Sequence, residues 1–226
     1  MDFKAAIFDL DGTLFDSMWV WKKIDMDFLA KRGIIVPPDY MLAVAHLGAY
    51  QTAVYTAERF GFSDTPEELI AEWTEMAIDF YRDKVGLKDG AYEYLGYLYN
   101  NGIKLAVATA NDKALYEPAL KHTGIDKYFS AVVNVDEVER KKGFPDIYWL
   151  AAEKLGVQPE ESVVFEDIYL GIKGAKDGGF KAVCVYDETS ADDRGKIEEL
   201  ADLYIEDYRS PKLFPKELKS FFNIIR

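Results

Sequence analysis

The stretch Lys4-Ala5-Ala6-Ile7-Phe8-Asp9-Leu10-Asp11-Gly12-Thr13-Leu14-Phe15-Asp16-Ser17 decides the fold. Ala5 to Phe8 is a continuous apolar run, the pattern of a strand buried on both faces of a parallel sheet. It runs into two carboxylates, Asp9 and Asp11, one residue apart, and Gly12-Thr13 then breaks it with a turn. Ligands of open α/β sheets bind at the carboxyl ends of the strands. Two acids at the mouth of such a strand are costly to bury unless a metal or a reaction needs them. Asp9 and Asp11 are therefore the first candidates for catalysis.

Downstream of this strand the period changes. Trp21, Ile24 and Phe28 recur at helical spacing until Gly33, which suits a helix end. A second helix is expected over Tyr50 to Phe60, ahead of Gly61. Thr65-Pro66-Glu67-Glu68 reads as a capping box with proline in the first turn, opening a helix with Leu69, Trp73, Met76 and Phe80 as its apolar stripe. This all-helical block of residues 16–86 is expected to be an inserted cap domain. Residues 1–15 and 87–226 would then form the catalytic core.

From Leu87 onward strands and helices alternate, the pattern of a parallel sheet with crossover helices. Helices are expected over Gly90 to Asn101, after Asn111, from Pro145 to Leu155, from Ile168 to Asp177, and from Pro215 to Ile225. Pro118 should kink or delay the second of these. Strands are expected at Ile103 to Ala108, Ala131 to Asn134, Val163 to Phe165, Lys181 to Val185 and, at the edge, Leu203 to Ile205. The fold class is α/β: a Rossmann-like parallel-sheet core carrying an inserted α-helical cap.

Composition bounds the function. The 226 residues include 27 basic and 40 acidic ones, a net charge of −13. That balance argues against binding nucleic acid or anionic membranes, which need a basic footprint. No apolar run approaches the roughly 20 residues of a membrane helix. Asp2 and Lys4 run at once into the first strand, so no signal peptide is expected. Cys184, the single cysteine, excludes an internal disulfide and fits a reducing, cytoplasmic setting. The oligomeric state is not readable from the sequence, with which a monomer is compatible.

Polar groups follow the apolar strands at Asp9/Asp11, Thr109/Asn111 and Glu166/Asp167, with Lys141/Lys142 ahead of a helix. If the strands are parallel, these groups converge on one edge. Carboxylates gathered there suit Mg²⁺, which takes few protein ligands plus phosphate oxygens. A lysine serves phosphate as a point charge, and Thr109 offers a hydroxyl and an N–H. Two like charges about 4 Å apart repel by about 4 kcal/mol at an effective dielectric near 20, so a phosphate beside Asp9 and Asp167 calls for a cation.

These motifs resemble the haloacid dehalogenase superfamily, in most members Mg²⁺-dependent phosphotransferases. Asp9 to Ser17 is similar to its first motif, Thr109 to its second, and Lys142 ahead of Phe144-Pro145-Asp146 to its third. Val164-Phe165-Glu166-Asp167, followed by Gly171-Ile172-Lys173-Gly174-Ala175, is similar to its fourth. The helical block resembles the cap of the β-phosphoglucomutase/phosphoglycolate phosphatase branch. Two departures stand out. The third motif reads Lys141-Lys142-Gly143 rather than Gly-Lys-Pro, and Lys142 is chosen by its distance from Pro145. Ile168 replaces a frequent Ser, which removes one supporting hydrogen bond.

The resemblance implies that Asp9 attacks phosphorus to form an aspartyl-phosphate while Asp11 serves as general acid and base. Asp9, Asp167 and the Asp11 carbonyl would hold Mg²⁺, with Glu166 a direct or water-mediated ligand. Half-protonation of Asp11 near neutrality needs its pKa raised by about three, roughly 4 kcal/mol. The expected substrate is a small phosphorylated metabolite such as a sugar phosphate or phosphoglycolate. A phosphosugar mutase is the alternative, although Trp21 stands where those mutases carry His. A non-catalytic binding protein is the reading outside enzymology. His46 and His122 are expected at the surface or in the cap, with His46 near substrate as the minority reading. Cys184 is expected in the core, as mainly are Trp19, Trp21 and Tyr50.

Overall fold

The computed structural model describes residues 3–44 and 47–214. Strand β1 (Ala5–Phe8) is fully buried, as its apolar run requires. The chain then passes through the two-residue strand β2 (Phe15–Asp16) into α1 (Met18–Lys31), α2 (Tyr40–Val44), α3 (Ala49–Phe60) and α4 (Pro66–Asp83). It returns through β3 (Gly86–Leu87), which pairs antiparallel with β2, so both crossings run side by side. There follow α5 (Ala91–Asn100), β4 (Lys104–Thr109), α6 (Lys113–His122), β5 (Ala131–Asn134), α7 (Asp146–Leu155) and β6 (Ser162–Glu166). The described chain closes with α8 (Tyr169–Asp177), β7 (Lys181–Val185), α9 (Arg194–Leu200) and β8 (Leu203–Ile205).

The main sheet has the order β5-β4-β1-β6-β7-β8, and every neighbouring pair is parallel. From β1 the chain builds outward through β4 and β5, then crosses over and builds through β6, β7 and β8. Strand order therefore reverses between β1 and β6, the switch point where α/β sheets bind their ligands. Asp9 follows β1 at that point, and Glu166 ends β6. The Asp9 N–H extends the ladder by donating to the Phe165 carbonyl at 3.0 Å. One face of the sheet packs through Phe8, Phe165 and Val107 into a core that continues into α1 and α4. The other packs through Ile7, Val164 and Cys184 against α7 and α8. No helix among the described residues is long and apolar enough to cross a membrane.

Several local expectations change. The capping box forms, with Thr65 Oγ1 accepting from the Glu68 N–H at 3.2 Å and the Glu68 side chain accepting from the Thr65 N–H at 2.8 Å. The most buried stripe of α4, however, is Leu69, Trp73, Ala77 and Tyr81, with Met76 and Phe80 on its flank. Pro118 does not delay α6. Asp112 caps the helix by accepting from the Ala114 N–H at 2.7 Å, and buried Leu115, Tyr116, Ala119 and Leu120 hold it past the proline. Trp19 and Tyr50 are 40% and 52% exposed rather than core. Trp19 instead lies edge-on to Phe80 and donates its indole N–H to the Asp16 carbonyl at 2.9 Å. Cys184 is buried as expected. His46 and the helix expected from Pro215 to Ile225 lie outside the described residues.

Inside the helical block, the Tyr40 hydroxyl lies 2.8 Å from Thr56 Oγ1 and 3.3 Å from Asp25 Oδ1. Burial raises the Asp25 carboxyl to about 6, against the smaller opposing effect of the Tyr40 hydrogen bond. A carboxyl raised on folding favours the native state below its unfolded pKa, and that contribution is lost as pH rises through about 6. Asp25→Asn should thus raise the Tm by about 3 °C at pH 7.5, equivalent to about 1 kcal/mol after solvent screening, and give no gain at pH 4. Equal shifts at both pH values in thermal melts would contradict this origin.

Candidate active site

Two strand tips deliver the carboxylates. Asp9, Glu166 and Asp167 are all buried, and one oxygen from each lies within 4.8 Å of the others. Their crowding needs space that only glycine leaves. A Cβ on Gly12 would stand 2.3 Å from Asp167 Oδ2, and the φ of +79° there is itself one that glycine favours. A Cβ on Gly171, in the first turn of α8, would stand 2.3 Å from the Glu166 carboxyl carbon.

One ammonium answers this charge. Lys142 Nζ donates to Asp9 Oδ1 and, at 2.5 Å, to Glu166 Oε1. Its neighbour Lys141 is exposed. Burial alone would lower the pKa of Lys142, but Asp9 and Glu166 together raise it, so it stays charged. Burial, followed by the charge of Asp9, raises Asp167 well above the usual carboxylate range. Glu166 is pushed up to about 6 by burial, with Lys142 opposing. The Thr13 hydroxyl, 3.2 Å from both Asp9 Oδ2 and Asp167 Oδ1, shares one proton between the two acids.

Asp11 is held separately. Its Oδ1 accepts from the Ser17 hydroxyl at 2.6 Å and from the Tyr81 hydroxyl, while its Oδ2 accepts from the Asn111 side chain at 2.7 Å. Burial raises its pKa, the three donors lower it, and the net direction is up. Thr109, buried at the tip of β4, accepts the Asn111 N–H on its hydroxyl oxygen at 3.1 Å, and so supports the loop that brings Asn111 to Asp11.

Three further side chains contribute whose part is not assigned from sequence. Tyr81 sits at the far end of α4, in register with the Leu69-Trp73-Ala77 stripe, a spacing that could have flagged it. Tyr148 donates to Glu166 Oε1 at 2.8 Å. Asp187, after β7, is buried and bound by Lys88 Nζ at 2.7 Å, and the hydrogen bonds from Lys88 and Thr189 keep its carboxyl low despite burial. His122, by contrast, ends α6 away from these groups.

The donor set fits a divalent cation. Three buried hard-oxygen ligands converge, and Glu166 Oε2 is buried without a hydrogen-bond partner among the described residues.

A family model described as haloacid dehalogenase-like hydrolase matches residues 6–185. The chain belongs to that family. Fructose-1-phosphate phosphatase YqaB of Escherichia coli (strain K12) is 32% identical over 186 residues, spanning 81% of this chain and 96% of that protein. A phosphorylated carbohydrates phosphatase of Thermotoga maritima is 27% identical over 180 residues, spanning 80% and 83%. Two solved structures share the fold. CbbY from Rhodobacter sphaeroides, in complex with phosphate, has a TM-score of 0.73 at 24% identity, covering 91% of this chain and 95% of that one. β-Phosphoglucomutase from Clostridium difficile has a TM-score of 0.71 at 20% identity, covering 99% and 100%. This chain is a haloacid dehalogenase-like hydrolase, and both of the curated relatives named are phosphatases.

Removing the ammonium leaves buried acids uncompensated. Lys142→Met should lower stability by about 3 kcal/mol at pH 7.5 without divalent cation, and added Mg²⁺ should restore part of it. Urea melts with and without Mg²⁺ measure both effects, and a loss below about 1 kcal/mol would contradict the pairing.

Proposed function

We propose that this hydrolase is a Mg²⁺-dependent phosphatase of small phosphorylated metabolites, sugar phosphates or phosphoglycolate in type, acting through an aspartyl-phosphate on Asp9. The observation that carries this reading is the convergence of Asp9, Glu166 and Asp167 oxygens within 4.8 Å beside the Lys142 ammonium. The substrate class is supported by the names of the Escherichia coli and Thermotoga relatives.

The contacts support the following roles. Asp9, whose N–H is fixed in the sheet, is the nucleophile that attacks phosphorus in line. Lys142 bonds Asp9 now and would hold a phosphate oxygen as a point charge. Asp11 is the acid and base: it protonates the departing alkoxide, then takes a proton from the water that cleaves the acyl phosphate. Its burial favours the protonated form it needs for the first step. Thr109 serves through its N–H and through Asn111. Asp9, Asp167 and the Asp11 carbonyl, with Glu166 direct or through water, would hold Mg²⁺, which when bound offsets the phosphoryl charge.

Residues 16–86 act in this reading as a cap. Asp9 is 4% exposed and Asp167 3%, and in this reading the helices shift to admit a substrate. The Ser17 and Tyr81 contacts to Asp11 are the points at which that movement would be felt.

A panel of phosphorylated sugars and phosphoglycolate, assayed for inorganic phosphate, tests the proposal. Chelation of divalent cations and Asp9→Asn should each abolish release, and Asp11→Asn should lower kcat by about 10²–10⁴. Conversion of a sugar 1-phosphate to its 6-phosphate without phosphate release would instead identify a mutase. Near wild-type turnover by Asp9→Asn would overturn the mechanism.

A further inference from the structure

Glu166 is bound unevenly. Among the described residues its Oε1 takes both donors, Lys142 Nζ at 2.5 Å and the Tyr148 hydroxyl at 2.8 Å, while Oε2 is buried and takes none. A carboxylate with both donors on one oxygen keeps the lone pairs of the other for a cation or for water bound to one. Lys142 alone cannot fix this arrangement, because it also serves Asp9 and would serve phosphate. Tyr148 has no such second duty.

The phenol is well placed to be rigid. It lies in the first turn of α7, where its N–H donates to the Pro145 carbonyl at 3.0 Å. Its ring is fully buried and meets Phe180 edge-on at 6.2 Å. Across the carboxylate, Gly171 lies so close that a Cβ there would stand 2.3 Å from the Glu166 carboxyl carbon. Burial and the nearby acids raise the Tyr148 pKa, so the hydroxyl remains a donor. Ile168, which follows Glu166-Asp167, offers no donor side chain, and the hydrogen bond reaches Glu166 from α7 instead.

We infer that Tyr148 is a positioning residue: its hydroxyl fixes the Glu166 carboxylate so that Oε2 is the oxygen offered to the divalent cation or its water. This rests on the cation reading above. It assigns Tyr148 a part in metal affinity rather than in the bond-breaking steps.

Titration calorimetry of Mg²⁺ into the full chain tests it, with Tyr148→Phe and the packing control Phe180→Leu beside the wild type. Tyr148→Phe keeps the ring and removes only the donor, so the Mg²⁺ dissociation constant should rise about tenfold. Phe180→Leu loosens the same pocket without touching the hydroxyl and should bind Mg²⁺ within about twofold of wild type. At saturating Mg²⁺ the kcat of Tyr148→Phe should stay within about threefold of wild type, because the loss lies in affinity. Wild-type affinity in Tyr148→Phe, or equal weakening in both variants, would overturn the role of the hydroxyl. Failure of the wild-type chain to take up Mg²⁺ would overturn the cation reading itself, and this inference with it.

Discussion

A single buried ammonium stands between Asp9 and Glu166, and the rest of the molecule is arranged around the charge it balances. Three carboxylates gathered at the tips of β1 and β6 repel one another by about 4 kcal/mol per pair at 4 Å and an effective dielectric near 20. Such a cluster persists only where the surrounding structure over-determines it. Here the sheet supplies the constraint. Parallel β1 and β6 are neighbours at the point where strand order reverses, so their acids meet whatever the side chains prefer. Gly12 and Gly171 leave the space, Thr13 shares a proton, and Tyr148 satisfies one oxygen.

Asp11 belongs to a different mechanical unit. Its carboxylate is held by Ser17 at the start of α1, Tyr81 at the end of α4 and Asn111 in the loop before α6. Two of these three donors come from the helical block and one from the sheet side. Asp9 is thus fixed by the rigid core, whereas Asp11 reports on where the helices lie. In the proposed phosphatase the nucleophile has to be stationary. The acid and base has to act only once the substrate is enclosed. The hydrogen-bond pattern divides the two roles in that way.

Much of this was legible in sequence because it is local. The Ala5–Phe8 run, the acids after it and the Glu166-Asp167 pair lie on short buried strands whose pattern survives any tertiary context. The capping box at Thr65 was readable for the same reason. What could not be read depends on partners far along the chain. Tyr81 lies 70 residues from Asp11, and choosing Phe80 over Tyr81 for the inner stripe of α4 is a one-residue rotation that periodicity alone does not resolve. Tyr148 has no visible role in sequence, since nothing near it there marks the acid it serves. Trp19 and Tyr50 misled in the opposite sense, because an aromatic ring at a helix start is as easily left at the surface. Pro118 shows tertiary burial and a good cap overriding a local breaker.

The most direct measurement is peptide mapping by mass spectrometry after acid quench of a single turnover, with Mg²⁺ and a hydrolysed phosphate ester present. One phosphoryl group on the peptide carrying Asp9, absent when Asp9→Asn replaces the wild type, is the expected result. Turnover that proceeds at full rate with every peptide unmodified at all quench times, or with the phosphoryl group on another residue, would contradict an aspartyl-phosphate at Asp9.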